Sequence, residues 1–392
     1  MDLNREIDRL AEGISEDLVR IRRTIHANPE MAFEEFETAA LVAETLERLG
    51  VACRTGVGGT GVVGIIEGGG PGRTLAIRAD MDCLPVHEET GLSFASKVPG
   101  KMHACGHDVH TTILLGVAMV LDALRERLKG RIKLVFQPSE EGLAGAQAMI
   151  DDGVLEDPSL DLCLGFHNLP TMEAGKVGYC PDIAFASSDE FDIVIKGRSG
   201  HAAFPHLAVD TVTAVGHFIT QLQSIVSREV PPLHAAVISI GRIHGGTARN
   251  ILPDAITIMG TVRTRNEDTR KTIEASIRRQ LDGLRTGLRI DYDLDYRNVV
   301  PVMRNDKRVL ESVVASAGNV LGSDNVIEIL EGTMGSEDFS LFTERLPGAH
   351  LRIGGQIEGR ELVLHRSDFD CNELAIPTGV RAISRAAFDL LS

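Results

Sequence analysis

Ile132-Lys-Leu-Val-Phe136 runs directly into Gln137-Pro-Ser-Glu-Glu-Gly142. The first segment is a short apolar run, closed by a Pro and a Gly, and reads as a buried strand. Helical periodicity flanks it, from Val109 to Leu128 upstream and from Ala144 to Asp151 downstream. Further strands are predicted at Gly61-Val-Val-Gly-Ile-Ile66, Thr74-Leu-Ala-Ile-Arg78 and Leu160-Asp-Leu-Cys-Leu-Gly165. Strands that alternate with helices need crossover connections, which predicts an α/β fold with a mostly parallel sheet. Residues 3–27 and 35–49 read as helices ahead of it, the second carrying the apolar stripe Ala39, Leu41, Val42, Leu46 and Leu49.

Near residue 183 the pattern changes. Glu190-Phe-Asp-Ile-Val-Ile195 alternates like a strand with one wet face. An amphipathic helix from about Ala208 to Arg228 follows, then strands Ala236–Ile243 and Ala255–Arg263. Next come a helix from Glu267 to about Leu281, with Gly283 as its stop, and a strand Gly287–Tyr296. The order strand–helix–strand–strand–helix–strand is that of a ferredoxin-like α+β module. After Asn298 the first pattern resumes, with helix Lys307–Leu321, strand His350–Gly354 and a closing helix Ile376–Leu391. The expected organisation is one discontinuous domain, residues 1–182 plus 297–392, with a second domain, 183–296, inserted into it.

Composition narrows the function. The 392 residues are 43% hydrophobic, enough for a large core, but only 4% aromatic with no Trp. A single-strand nucleic-acid groove needs stacking rings. A formal charge of −16 repels phosphate backbones and anionic membranes. The expectation is therefore a small-molecule partner, with no nucleic acid and no membrane. The longest apolar helical run, Thr112 to Leu124, is too short to span a bilayer. Cysteines 53, 83, 105, 163, 180 and 371 form no Cys-x-x-Cys pair and read as reduced thiols. With a polar N-terminus that lacks the apolar stretch of a signal peptide, they point to a cytoplasmic location.

Five segments concentrate nitrogen, sulfur and carboxylate groups: Arg78-Ala-Asp-Met-Asp82, Met102-His-Ala-Cys-Gly-His-Asp108, Gln137–Gly142, Gly165-Phe-His167 and Leu364-His365. Thiolate, imidazole and carboxylate together suit a borderline divalent metal, whether zinc, manganese, cobalt or nickel. In Cys105-Gly-His107 the Gly lets the backbone turn so that both side chains can reach one centre. Neighbouring carboxylates at a strand end, as in Glu140-Glu141, rarely do the same job; one can bind metal while the other takes a proton from water.

With these segments in order along nearly the whole chain, the sequence resembles the aminoacylase–carboxypeptidase metallopeptidases. More narrowly it resembles their amidohydrolase branch, which includes hippurate hydrolases, N-acetyl-diaminopimelate deacetylases and plant auxin–amino-acid conjugate hydrolases. The same resemblance extends through His26-Ala-Asn-Pro-Glu30, Gly200-His-Ala-Ala-Phe-Pro-His206, Gly245-Gly-Thr-Ala-Arg-Asn250, Gly260-Thr-Val-Arg263 and Gly335-Ser-Glu-Asp-Phe339. It implies a fold of aminopeptidase-like architecture and two divalent ions (Mn2+, Zn2+, Co2+ or Ni2+) held by Cys105, His107, Glu141, His167 and His365. Glu140 would be the general base that activates a metal-bridging water, with Asp82 a supporting carboxylate. His103 and Asp108 would support the ligands between them. In relatives the inserted domain closes over the site and forms the dimer contact, so a homodimer or homotetramer is implied. There, His201 would polarise the scissile carbonyl across subunits, Asn250 would assist it, and Arg263 would grip a substrate carboxylate. His206 would contact substrate or shape the turn beside Pro205.

The implied activity is hydrolysis of a small N-acyl amino acid to a carboxylic acid and a free amino acid. A hydrolytic deaminase or ureido-hydrolase on the same scaffold, and a non-catalytic binding relative, are the rival readings. The second would be favoured by loss of Glu140 or a ligand, and none is lost. A thiol hydrolase using Cys105 with His107 would need two side chains on one tight turn to align.

Overall fold

A computed structural model describes residues 2–392. In chain order the elements are α1 Leu3–Gly13, α2 Ser15–Ala27, α3 Phe36–Arg48, β1 Ala52–Val57, β2 Gly61–Glu67, β3 Gly70–Asp80, α4 His107–Ala123, β4 Lys129–Gln137, α5 Gly145–Asp151, β5 Leu162–Glu173, β6 Val177–Tyr179 and β7 Ile183–Phe185. There follow β8 Ser187–Lys196, β9 Gly200–His201, α6 Thr211–Arg228, β10 Ala236–Gly245, β11 Ile251–Leu252, β12 Ala255–Thr264, α7 Glu267–Leu288 and β13 Asp291–Val300. The chain closes with β14 Met303–Arg304, α8 Lys307–Leu321, β15 Val326–Glu328, α9 Ser340–Thr343, β16 Gly348–Gln356 and α10 Ala375–Leu391.

These elements form two compact units, residues 2–184, 304–331 and 338–392 in the first and residues 185–303 and 332–337 in the second. The first unit contains an eight-stranded sheet in the order β1-β2-β4-β3-β5-β16-β6-β15. Its centre is parallel: β3 pairs with β4 and β5, and β5 with β16. β1 and β2 add antiparallel strands at one edge. Central strands are buried on both faces, hence the unbroken apolar runs. Helices α1, α2, α4, α8 and α10 pack together and on this sheet, and Leu75, Ile77, Leu134, Phe136, Leu164 and Leu351 lie in the core between.

The second unit carries an antiparallel sheet in the order β10-β12-β8-β13 with α6 and α7 against it. Phe191, Ile193 and Ile195 bury every second side chain of β8. Ala214, Val215, Phe218, Leu222 and Ile225 form the matching stripe of α6. Asp210 and Asn266 cap the two helices by accepting backbone N–H groups at 2.9–3.0 Å. The split βαβ order is therefore present. The fold class is α/β with an inserted ferredoxin-like α+β module.

Three details differ from the sequence expectation. Residues 3–27 are two helices, not one, broken at Gly13-Ile14, because Gly is a poor interior helix residue. Gly283 does not stop α7; the helix continues to Leu288 and ends where Arg289 turns left-handed at φ 62°. The buried stripe through Leu281 and Leu284 outweighs one glycine. β5 runs to Glu173 rather than ending at Gly165, because β16 pairs along it through Leu169.

One buried hub fastens α2 to the loop–helix junction ahead of α4. Arg22 donates to Asp108 at 2.8 Å and Asp370 at 2.9 Å, and reaches Glu373 at 3.2 Å. His26 shares the Asp108 carboxylate at 2.9 Å and meets Glu88 at 3.3 Å. Burial opposes a charge on His26, yet Asp108 and Glu88 raise it to about 9. Arg22→Ala removes the buried cation that joins Asp108 to Asp370 and leaves His26 alone against Asp108, so we expect it to destabilise the protein by about 3–5 kcal/mol. The check is the midpoint of urea unfolding at constant slope; a change below about 0.5 kcal/mol would contradict the hub, since that is the range of ordinary surface substitutions.

Candidate metal centre

The ligand-bearing segments meet at one end of the parallel strands. Asp82 follows β3, Glu140 and Glu141 follow β4, His167 lies within β5, and His107 is the first residue of α4. Open parallel sheets gather functional groups at this end. Gly106 makes the junction before α4 possible. It sits at φ 89°, and a Cβ there would run into the Asn168 side-chain amide. The Gly of Cys105-Gly-His107 thus serves both the turn and a close approach.

Cys105 Sγ lies 3.3 Å from His167 Nε2. His107 Nε2 lies 3.9 Å from Glu141 Oε1 and 3.9 Å from Glu140 Oε2. His365 Nε2 lies 3.4 Å from Glu141 Oε1. Two donor triads follow, each with its ligand atoms within 4.8 Å of one another: Cys105–His107–His167 and Cys105–Glu141–His365. His365 is brought in by its backbone. It is left-handed at φ 67°, and its N–H donates to Ala104 O at 2.8 Å.

The imidazole tautomers suit a cation. His107 Nδ1–H donates to Asp82 at 3.1 Å, and His167 Nδ1–H to the Asn168 carbonyl at 2.7 Å. Each leaves Nε2 as a lone pair aimed at the other donors. His107 Nε2 and Glu141 Oε1 are buried, and among the described residues neither has a hydrogen-bond partner. Orphaned acceptors of this kind cost stability unless something positive sits between them. Burial and the Glu141 carboxylate push the Cys105 thiol well above its ordinary range, and burial beside His110 pushes His167 well below its own. A soft divalent ion supplies the charge that a buried thiolate needs, and it prefers neutral imidazole. The donor set therefore fits divalent metal.

A third triad, Asp80–His107–His110, is within the same radius, but hydrogen bonds already occupy it. His110 Nδ1–H donates to Asp80 at 2.6 Å and its Nε2 accepts the Asn168 N–H at 2.8 Å. Asp80 is held by the buried Arg78 at 2.7 Å, which also grips Asp338 at 2.7 Å and Gln137 at 2.8 Å. Asn168 in turn donates to the Cys105 carbonyl at 2.5 Å. Arg78, Asp80, His110 and Asn168 are thus a scaffold that aims Cys105 and His167. None of the four carries a role in the sequence reading. Long-range pairing decides it, and sequence spacing carries no sign of that pairing.

Asp82 supports the centre from three sides. Besides His107, it accepts the backbone N–H of Glu140 at 3.1 Å and of Glu141 at 3.0 Å. Asp108 is occupied by Arg22 and His26, so it supports the loop from below. His103 does not share that task. It is buried, makes no hydrogen bond among the described residues, and burial pushes it down to about 3.

The remaining expected residues belong to the second unit. His201 and Asn250 are neighbours there: His201 pairs with Ile251, and the Ala202 N–H donates to Asn250 O at 3.0 Å. His201 is exposed, its Nδ1 accepting the Ala203 N–H at 3.0 Å. His206 sits exposed in the single turn Pro205–Leu207. Arg263, on β12, donates to Ser336 Oγ at 3.1 Å. All six cysteines are unpaired. Among the described residues, no helix is long and apolar enough to cross a membrane.

Comparison with known proteins agrees with this geometry. Residues 76–389 match the profile described as Peptidase family M20/M25/M40. N-acetylcysteine deacetylase of Bacillus subtilis is 40% identical over 86% of this chain and 88% of its own. IAA-amino acid hydrolase ILR1-like 4 of Arabidopsis thaliana is 39% identical over 92% of this chain and 83% of its own. The solved structure of the Bacillus subtilis YXEP protein, described as a dinuclear metal binding peptidase, is 33% identical. It superimposes with a TM-score of 0.85 over 97% of this chain and 99% of its own.

Proposed function

This chain belongs to peptidase family M20/M25/M40 as a metal-dependent amidohydrolase, and we propose that it cuts the amide bond of small N-acyl amino acids. The products are a carboxylic acid and a free amino acid. The reading rests on one observation above the others: Glu140 and Glu141 stand on one turn, both 3.9 Å from His107 Nε2, and only Glu141 also meets His365. Glu141 thereby shares a donor set with Cys105 and His365, and Glu140, whose carboxylate lies near those of Glu337 and Asp338 as well as His107, is the one we assign to proton chemistry.

Cys105, His107, Glu141, His167 and His365 would hold two divalent ions, and Cys105 is common to both triads. When bound, such ions lower the pKa of water and polarise an amide carbonyl. Glu140 accepts the proton of the attacking water and passes it to the leaving nitrogen, which must be protonated before the C–N bond breaks. Asp82 keeps that base in place through the turn's backbone. In the second unit, His201 with Asn250 donates to the oxyanion in a homodimer's partner site. Arg263 takes the carboxylate of the amino-acid part, and His206 borders it. The names of the two relatives above, one a deacetylase of an N-acetyl amino acid and one a hydrolase of an acyl–amino-acid conjugate, support this substrate class.

The test is a panel of N-acetyl, N-benzoyl and N-indolylacetyl amino acids, each assayed with Mn2+, Co2+, Ni2+ and Zn2+. The expected result is stoichiometric release of a free amino acid and the acyl carboxylate from at least one member. Ammonia release from amidine or ureido compounds, with the whole acyl panel inert, would overturn the reading.

A further inference from the structure

Three consecutive backbone N–H groups on the catalytic turn are each taken by a carboxylate. Asp82 takes those of Glu140 and Glu141. The first, Ser139 N–H, donates to Glu35 Oε1 at 2.9 Å. Glu35 is wholly buried, its other oxygen accepts the Thr60 hydroxyl, and it lies 104 residues from Ser139 in sequence. Ser139 is left-handed at φ 49°, a conformation that costs energy for any residue with a Cβ. Glu35 accepts the N–H of that left-handed residue itself, while Asp82 holds the two that follow, and this tether stabilises the turn.

Glu35 also stands at the N-cap of α3, where an acidic residue would ordinarily bond its own helix. It makes no such bond. Glu30 does that work instead, accepting the N–H groups of Glu37 at 2.9 Å and Thr38 at 2.8 Å. Glu35 is thereby released from capping and turned toward Thr60 and Ser139. Burial pushes its carboxyl above the usual range. That is a cost that local helix formation does not require.

We propose that Glu35 is a positioning residue for the general base: by holding the Ser139 N–H it fixes the left-handed turn from which Glu140 is presented. The inference rests on Glu140 being that base. The Glu35 carboxylate bonds Thr60 and the Ser139 N–H and none of the five metal donors, so its removal should act on proton transfer and spare the metal.

The experiment measures kcat, KM, bound metal per chain and thermal unfolding for three variants of the metal-loaded enzyme. Glu35→Ala should lower kcat about 10- to 100-fold, the penalty for misplacing a reacting group by about an ångström. KM and metal content should stay within about twofold of the parent by the same argument. Glu35→Gln should recover most of kcat, since its amide oxygen can accept the Ser139 N–H while its NH2 group donates to Thr60 Oγ. Ser139→Gly added to Glu35→Ala should recover part of kcat, because glycine enters the left-handed region without a tether; a residue that merely fills the core would not be rescued from position 139. An unchanged kcat in folded Glu35→Ala, or a loss that tracks metal loss, overturns the proposal. Should the Ala variant not fold, Thr60→Val is the deciding variant, with a kcat loss at constant KM supporting the proposal and an unchanged kcat overturning it. Glu140→Gln run alongside separates the two readings. Full turnover there removes the base itself, whereas a dead Glu140→Gln beside an active Glu35→Ala removes only the positioning role.

Discussion

Glu140→Gln should retain its full complement of metal and lose turnover by about a thousandfold or more, within the 10²–10⁴ range of general-base catalysis. A thousandfold corresponds to about 4 kcal/mol of barrier. The substitution is isosteric and leaves every donor in the two triads untouched. It also leaves the Glu140 N–H on Asp82 at 3.1 Å, so the turn keeps its shape. What it removes is the ability to accept a proton. Glu141 cannot take over the task. Its Oε1 faces His365 at 3.4 Å and His107 at 3.9 Å, and that carboxylate is committed to the donor cluster. The companion variant Glu141→Gln should fail the other way and lose metal first. Metal analysis and steady-state kinetics on the two variants check both claims, and near-parental kcat in Glu140→Gln would remove Glu140 from the mechanism.

The contrast between those neighbours shows which features the sequence makes legible. Cys105-Gly-His107 and Glu140-Glu141 are contiguous, and their chemistry is concentrated enough to be read without a structure. Gly106 could be read because a residue at φ 89° packed against Asn168 leaves no choice of side chain. The strand–helix alternation was equally readable, since buried parallel strands carry continuous apolar runs and α6 carries a clean stripe. The missing polar contacts share one property. Arg78 meets Asp338 across 260 residues and Glu35 meets Ser139 across 104. A buried polar contact at that separation, whether ion pair or hydrogen bond, leaves no periodicity in either segment. The edge strand β1 was missed because it is mostly exposed and contains Arg54, Thr55 and Gly56, so no alternation marks it. Arg22 and His26 lie four apart on one face of α2 and so could have been paired by helical spacing. Their shared partner Asp108 could not, because it lies on α4.

Exhaustive chelation should abolish turnover and also lower stability, with both restored over the same range of added metal. The physical reason is the crowding of donors in the first unit. Cys105, His107 and His167 are buried with their ligand atoms within 4.8 Å, and two buried acceptor atoms at the centre have no hydrogen bond among the described residues. Packing lone pairs against lone pairs opposes folding, and a cation among them reverses the sign. At a free metal concentration a hundredfold above Kd, each site adds about 2.7 kcal/mol, so two sites should shift unfolding by several degrees or more in a chain of this size. Thiolate and imidazole donors place Zn2+, Ni2+ and Co2+ above Mn2+ in affinity, although the most tightly held ion need not be the fastest. The Cys105 thiol supplies a second readout. Burial keeps it protonated without a cation, so metal loss should be coupled to proton uptake. The Co2+-loaded protein should then show a thiolate charge-transfer band that disappears with chelator in step with activity. Unchanged turnover after complete chelation would sink the metal mechanism and revive a nucleophilic Cys105. Full activity with one ion per chain would retain the metal but remove the dinuclear arrangement, leaving one triad as scaffold alone.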